Sequence, residues 1–514
     1  MSFPRRGRIG MKPRAWLLAV CLILAALPAA AQTGKNARLG KLTETLIDLQ
    51  AQQEARAAGL RSAPLQSANP LTKLVEERVV INAVAEDDAE TLKAELEALG
   101  MENAVVFGRI VSGQLPVSAI ADAAGLRSLR FAREAMATTH AGSVTSQGDT
   151  SMRSGAARST FGVDGAGVKV GVLSDSFNCK KQAAGDVSSG DLSSVNVLQD
   201  ETGCASGTDE GRAMLQIVHD VAPGAALAFA SAFNGSASFA ANIQALQAAG
   251  ARVIVDDVVY FDEPMFQDGP IAQAVDSVVA AGAAYFSAAG NEARQSYDKA
   301  FKAGTSFAQD AFLALNNDPT LRFWGGIAHN FASSGTDVFQ SVTIPAGKTV
   351  TISLQWDSLF FSVSGAPGSQ NDLDIYLLNS SNRVVASSAT INVGHDAVEV
   401  LQYKNPGSSP QTLNLMIVKF SGANPGRIKY VYFGPMTVTQ YDTQSSAIYG
   451  HANAAGAEAV GAAFYAETPE FGQTPPLLES YSSVGGTPVL FDTSGNPTND
   501  PRADKPEITA PDGV

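Results

Sequence analysis

Three apolar stretches of the sequence end on residues able to move a proton or donate a hydrogen bond. VKVGVLS is followed by Asp175, ARVIV by Asp256 and Asp257, and AAYFSAAG by Asn291. A further acid, Glu210, opens the amphipathic stretch EGRAMLQIVHDV, which VAPGA follows. Carboxylates gathered this way suit general-base chemistry: an attacking hydroxyl must lose its proton to a base that is itself held in place. A glutamate titrates near 4.3 and a histidine near 6.5, so a glutamate base works in acidic media. A neighbouring carboxylate shares the proton and raises one pKa of the pair. The same residue types also have plainer uses. Glu210 fits a helix N-terminus, where the dipole favours an acid, and Asp175 and Asn291 fit turns. Asp256 and Asp257 point to opposite faces of their strand, so one of them faces any cleft there. His219 lies too far along the helix from Glu210, about 13 Å at 1.5 Å per residue, to pair with it. His451, after a glycine where the chain returns to the α/β pattern, suits a structural role or the lining of the cleft.

The elements that must position these residues follow a βαβα rhythm. The strands VKVGVLSDS, ALAFASAF, ARVIVDD and AAYFSAAGN alternate with the helices DEGRAMLQIVHDV, FAANIQALQAAG and IAQAVDSVVAAG. This predicts an α/β fold, a doubly wound parallel sheet with helices on both faces. Ligands of such sheets bind at the carboxyl ends of strands, where the named residues fall. Ahead of it, RVVINAVA, DAETLKAELEALG, NAVVFGRIVSG, PVSAIADAAG and LRSLRFAR read as strand, helix, strand, helix, strand: a small two-layer α/β domain within 32–140, where a propeptide would sit. Residues 141–165 read as a Gly/Ser-rich linker. From 305 to 434 the apolar pattern alternates in twos between Gly, Pro, Asn and Ser turns, predicting an all-β sandwich inserted between 141–304 and 435–514.

Several motifs resemble one family in order: GAGVKVGVLSDS, FSAAGNE, YGHANAAGAEAVGA, ESYSSVGG and KPEITAPDG. Residues 160–300 and 435–514 resemble the subtilase group of serine peptidases, with affinity to its acid-active branch, the sedolisins or serine-carboxyl peptidases. The resemblance implies a subtilisin-like sheet and a secreted serine-type endopeptidase that hydrolyses polypeptides and is restrained by its own propeptide. Glu210 stands where subtilisins place histidine, ahead of Pro223 by a step similar to that of the sedolisin glutamate. Met214 stands where sedolisins place a second acid, so Asp175 is the expected partner. Asn291 is the expected oxyanion residue, as in subtilisins, and Asp257 falls where subtilases bind the substrate backbone. The site looks like a hybrid. The family's nucleophile sits in a GTS segment beyond the APDG match, so it is expected outside these 514 residues. The GTS at 304–306 lacks the following proline and lies at the sandwich edge, which makes Ser306 a decoy. The competing expectation is a non-catalytic extracellular binding protein on the same fold. The sandwich resembles the pre-peptidase C-terminal type of domain, chiefly through NDLDIYLLNSSNRVVASS.

Composition bounds the partners. The net charge of −14 argues against nucleic acid and anionic membranes. Basic residues, the apolar run WLLAVCLILAAL and PAAAQ make 1–31 a signal peptide, too short to span a bilayer, which places the mature protein outside the cell or in the periplasm. Cys179 and Cys204 remain after its removal and are expected to be bonded, closing a loop worth roughly 3 kcal/mol. Two cysteines without nearby histidine do not make a zinc site. Asp372 and Asp374, on one face of a strand, are too few ligands to define a Ca2+ site, although Ca2+ is the ion they would take.

Overall fold

The computed structural model describes residues 40–514 apart from 61–62, 68, 70, 140–145, 205–206 and 319. The expected signal peptide lies outside the described residues. The first sheet is antiparallel: β1 (Leu74–Val75), β2 (Arg78–Ala85), β3 (Glu102–Phe107), β4 (Ile110–Pro116) and β5 (Leu129–Glu134), with β2 between β4 and β5. Alternation along β2 explains its burial on both sides. Val79, Ile81, Ala83 and Ala85 pack with Leu92 and Leu96 of the helix Ala89–Ala98. Asp88 caps that helix, accepting from Thr91 N at 3.0 Å. On the other face, Val80 joins the core of the following domain, and Asn82 accepts from Ser236 N at 3.2 Å. The stretch NAVVFGRIVSG, read above as one strand, is a hairpin. It turns at Gly108, whose φ of 57° is one that glycine adopts without strain. The next strand, β6 (Ala137–Thr139), leaves the sheet altogether.

The 141–165 stretch, read as a linker, contains two short helices, Gly148–Ser151 and Ser154–Phe161. The strands β7 (Lys169–Ser174), β8 (Val195–Gln199), β9 (Ala226–Ser231), β10 (Val253–Asp256) and β12 (Ala284–Ala288) then pair in parallel, with the short β11 (Val258–Tyr260) between the last two in sequence. Helix Glu210–Val221 covers one face through Leu215, which packs on Val172 and Phe229. Helices Ser236–Ala248 and Pro270–Ala280 cover the other through Phe239, Ile243 and Val275. Burial is why β7, β9, β10 and β12 read as apolar runs, whereas the edge strand β8, largely exposed, leaves no such signal.

Eleven strands among the described residues interrupt the sheet. One layer orders β13 (Ser296–Lys299), β22 (Ile428–Phe433), β17 (Thr349–Trp356) and β20 (Val398–Lys404). The facing layer runs β14 (Ala303–Phe307), β15 (Gly326–His329), β21 (Gln411–Gly422), β16 (Gln340–Ile344) and β23 (Thr437–Val438), with β18 (Asn371–Leu378) against β21 and β19 (Val384–Ser388). Ile352, Trp356, Ile375, Ile417 and Tyr430 fill the space between the layers. Ser306 is an exposed residue of β14, opposite Ile327.

The chain returns as β24 (Ala457–Phe464), makes the hairpin β25 (Val489–Phe491) and β26 (Pro497–Asp500), and ends on β27 (Ile508–Asp512). The completed parallel sheet has the order β8-β9-β7-β10-β12-β24-β27. Chain direction across it reverses at β7, which lies between β9 and β10, so the carboxyl ends of β7 and β10 flank the switch point where such sheets bind ligands. No helix among the described residues is long and apolar enough to cross a membrane.

Candidate active site

Two carboxyl groups meet at that switch point. Asp257, directly after β10, is buried, and its side chain hydrogen-bonds that of Glu210. Burial pushes the Asp257 carboxyl well above the usual carboxylate range, and the charge of Glu210 pushes it further. Two carboxyls in such contact hold one proton between them, because ionising both would leave like charges in a desolvated site. Ser174 Oγ, fully buried at the end of β7, steadies Asp257 from 3.2 Å. Glu210 is half-buried and forms the solvent side of the pair.

Asp175 holds the backbone beneath Glu210. Its carboxylate accepts from Glu210 N at 3.0 Å and Thr208 Oγ1 at 2.7 Å, and from the amides of Thr208 and Ser176. It thereby satisfies amides at the start of the helix, the office of a capping residue. Asp209, in the left-handed region, accepts from Cys179 N at 2.6 Å and Lys180 N at 2.9 Å and pairs with Arg212 at 3.1 Å. The Cys179–Cys204 disulfide, present as expected, ties the same loop. Gly211 lets the helix approach the sheet: a Cβ there would overlap the Phe229 ring.

Asp256, one residue before Asp257, faces the opposite way and meets a cation. His451 Nε2 lies 3.0 Å from Asp256 Oδ1, and His451 Nδ1 lies 2.7 Å from Glu263 Oε1. Burial alone would lower the imidazole pKa, but the flanking carboxylates of Glu263 and Asp256 overcome it and raise it to about 10. Ser287 Oγ of the neighbouring β12 also donates to Asp256, at 3.0 Å.

Asn291 stands exposed beyond the end of β12. Beneath it Glu292 is buried; Glu292 N donates to Ser483 Oγ at 2.9 Å, and that hydroxyl donates to Glu292 Oε2 at 3.3 Å. Burial raises the Glu292 carboxyl to about 7. Asp372 and Asp374 are buried in β18, far along the sequence from these strand ends, and Tyr376 donates to Asp374 at 2.9 Å. The one cluster of three metal-type donors among the described residues is Cys179, Glu201 and Cys204, and its sulfurs are joined in the disulfide.

Past Asp257 the backbone continues as β11, and β6 of the N-terminal domain pairs with it antiparallel: Thr139 opposite Val258, Thr138 opposite Val259, Ala137 opposite Tyr260. The N-terminal domain is clamped here by Arg133, which pairs with Asp262 at 2.6 Å and with Asp396 of the sandwich at 2.9 Å. Lys73 forms an ion pair with Glu201 in the disulfide loop. Sequence reading expected Asp175 to partner Glu210 and Asp257 to meet substrate backbone; the structure instead sets Asp257 against the Glu210 side chain and Asp175 on its backbone amide, because the helix docks with its first turn over the end of β7. Glu263, Asp209 and β6 were not singled out. The second acid after YF in VVYFDEP is the visible clue to Glu263; β6, only three residues long, leaves no periodic signal.

No protein-family model matches the sequence, and none of the curated proteins matches it. Among solved structures, the chain is similar to the epidermin leader peptide processing serine protease (EpiP) from Staphylococcus aureus, at 12% identity over 41% of this chain and 60% of that chain, with a TM-score of 0.27. A mutant of the same protease aligns at 13% identity over 41% and 61%, with a TM-score of 0.28. CBM35 from Cellvibrio japonicus Abf62 aligns at 13% identity over 28% of this chain and 96% of that module, with a TM-score of 0.14. The chain thus spans about 60% of the length of the protease it resembles.

Proposed function

We propose that the protein is an exported serine-type endopeptidase that acts at acidic pH, with residues 32–140 as its intramolecular inhibitor. One observation carries this reading: β6 lies as an added strand on β11 and runs toward the Glu210–Asp257 pair. An extended chain laid on a sheet edge is bound by main-chain bonds whatever its sequence, which is what a polypeptide substrate requires. In the proposed chemistry the pair carries one proton and one negative charge. Glu210 takes the proton of a serine hydroxyl as it attacks the peptide carbonyl, and later returns it to the leaving amine. Asp257 shares that proton and orients Glu210, while Asp175 fixes the helical turn from which Glu210 projects. Asn291 donates to the developing oxyanion. The serine is the one the family resemblance implies beyond the APDG stretch; Ser174, the hydroxyl bonded to Asp257, is fully buried and serves to position it.

The test is to assay the full-length gene product on unfolded protein substrates across the pH range, beside its Glu210→Gln variant. Cleavage with an optimum below neutrality, absent from the variant, is the expected result. An optimum above about pH 8 sinks the reading, because the proton shared by two carboxyls is lost as pH rises.

A further inference from the structure

The residue that precedes β6 is seated in a pocket made by two domains. Met136 is 5% exposed and packs with Phe261, Met265 and Phe266 from the loop after β11, with Val431 and Phe433 from β22 of the inserted sandwich, and with Tyr449 from the returning chain. The Phe261 and Phe433 rings meet edge to face at 4.6 Å across the domain boundary. The loop wall is held by side chains of β17: Ser353 Oγ donates to Phe261 O at 2.7 Å, Gln355 Nε2 to Glu263 O at 2.7 Å, and Gln355 Oε1 accepts from Met265 N at 2.7 Å. Ser353 and Gln355 are fully buried, so these bonds are shielded from competing water. The walls supplied by the α/β domain and the sandwich are therefore rigid and apolar; the remaining side is closed by Asn69 of the N-terminal domain, whose Nδ2 donates to Met136 Sδ at 3.5 Å.

The geometry points to this pocket as a substrate subsite that selects a large, flexible apolar side chain, with the sandwich as one of its walls. The assignment rests on the peptidase reading above and gives the sandwich a part in it. A substrate strand in the register of β6 that continues one residue past Thr139 sets its carbonyl opposite Asp257. Met136 then occupies the place of the fifth residue ahead of the cleaved bond. Its own side chain shows what the pocket accepts: an unbranched apolar chain, able to fill an irregular gap between aromatic rings. A charged side chain there would be desolvated without a partner.

Peptide substrates that differ at that fifth position alone, tested on the full-length gene product with the cleavage site fixed by mass spectrometry, decide the matter. Met, Leu and Phe are expected to exceed Asp and Lys in kcat/KM by about 30-fold and Ala by about 10-fold, within the range apolar pockets discriminate. The mild variant Phe433→Leu, on the sandwich side, is expected to shift the preference among Met, Leu and Phe at that position, read as the ratios of their kcat/KM values. Equal kcat/KM across the series, or a preference for charge, overturns the subsite while leaving the peptidase reading intact. Failure to cleave any peptide at any pH overturns the peptidase reading, and the subsite with it.

Discussion

Asp256 and Asp257 are consecutive, both buried, and opposite in chemistry. Asp256 turns toward His451, an imidazole also held by Glu263, and its charge is matched. Asp257 turns toward Glu210, another carboxyl, and its charge is opposed. One strand end thus carries a buried ion cluster on one face and a proton-sharing pair on the other. Burial penalises charge equally on both faces; the partner decides whether a carboxyl ionises. The side with the cation is built for permanence, and the side with two acids is able to give and take a proton.

Substitutions can break the contrast. The largest effect is expected from Glu210→Gln, which removes the proton acceptor: activity of the full-length product should fall by about 10² to 10⁴-fold, with the circular dichroism spectrum unchanged. Next is His451→Leu, which strands Asp256 and Glu263 in the core. Urea unfolding should show a loss of about 3–5 kcal/mol, the usual result of removing one partner from a buried ion pair. The pH dependence of stability sharpens the comparison. The His451 pKa is raised to about 10, so its contribution is complete below the unfolded value near 6.5 and is lost as pH climbs through 10. Asp257, also raised, acts with the same sign, its contribution fading as pH rises through its elevated pKa. Unfolding free energy should therefore fall from neutral to alkaline pH, and the gap between the parent and His451→Leu should narrow toward pH 10; a gap that widens would falsify the cationic role of His451. Glu292→Gln should remove a smaller decline in stability that runs from the unfolded carboxyl value up to about pH 7, where the raised Glu292 carboxyl ionises in the folded protein too. The smallest effect belongs to Asp257→Asn: an amide stands in for a protonated carboxyl, so stability at pH 5 should change by less than about 1 kcal/mol. A loss as large as that of His451→Leu would mean that Asp257 is ionised in the folded protein.

The strand ends were legible because a fully covered parallel sheet writes each strand as an apolar run and stops it at a polar residue. Period two was enough to send Asp256 and Asp257 to opposite faces. What each would meet was not legible. Glu210 and His451 come from distant parts of the chain, and nothing local to VDD announces them. Asp175 shows the same limit. Its place after β7 is plain in the sequence, but its use of both carboxylate oxygens on the amides around Thr208 and Glu210 depends on how the helix docks. The hairpin turn at Gly108 was missed because apolar residues continue through it, so no change of pattern marks the bend.

The sandwich is spliced between β12 and β24, which are neighbours in the parallel sheet. Its two ends touch: Ser296 pairs with Val431, and Ser296 O accepts from Ser445 N at 3.1 Å. A flexible segment of that length would penalise the β12–β24 contact through loop closure, at about 0.6 kcal/mol for each doubling of length. An insert that folds first, with its ends pinned together, shortens the effective loop to a few residues and removes most of that penalty. The expected order of events is therefore sandwich before sheet edge, with β24 and β27 joining last. Refolding kinetics should accordingly show the tryptophan signal of the sandwich core, Trp356, ahead of the last increments of parallel-sheet structure.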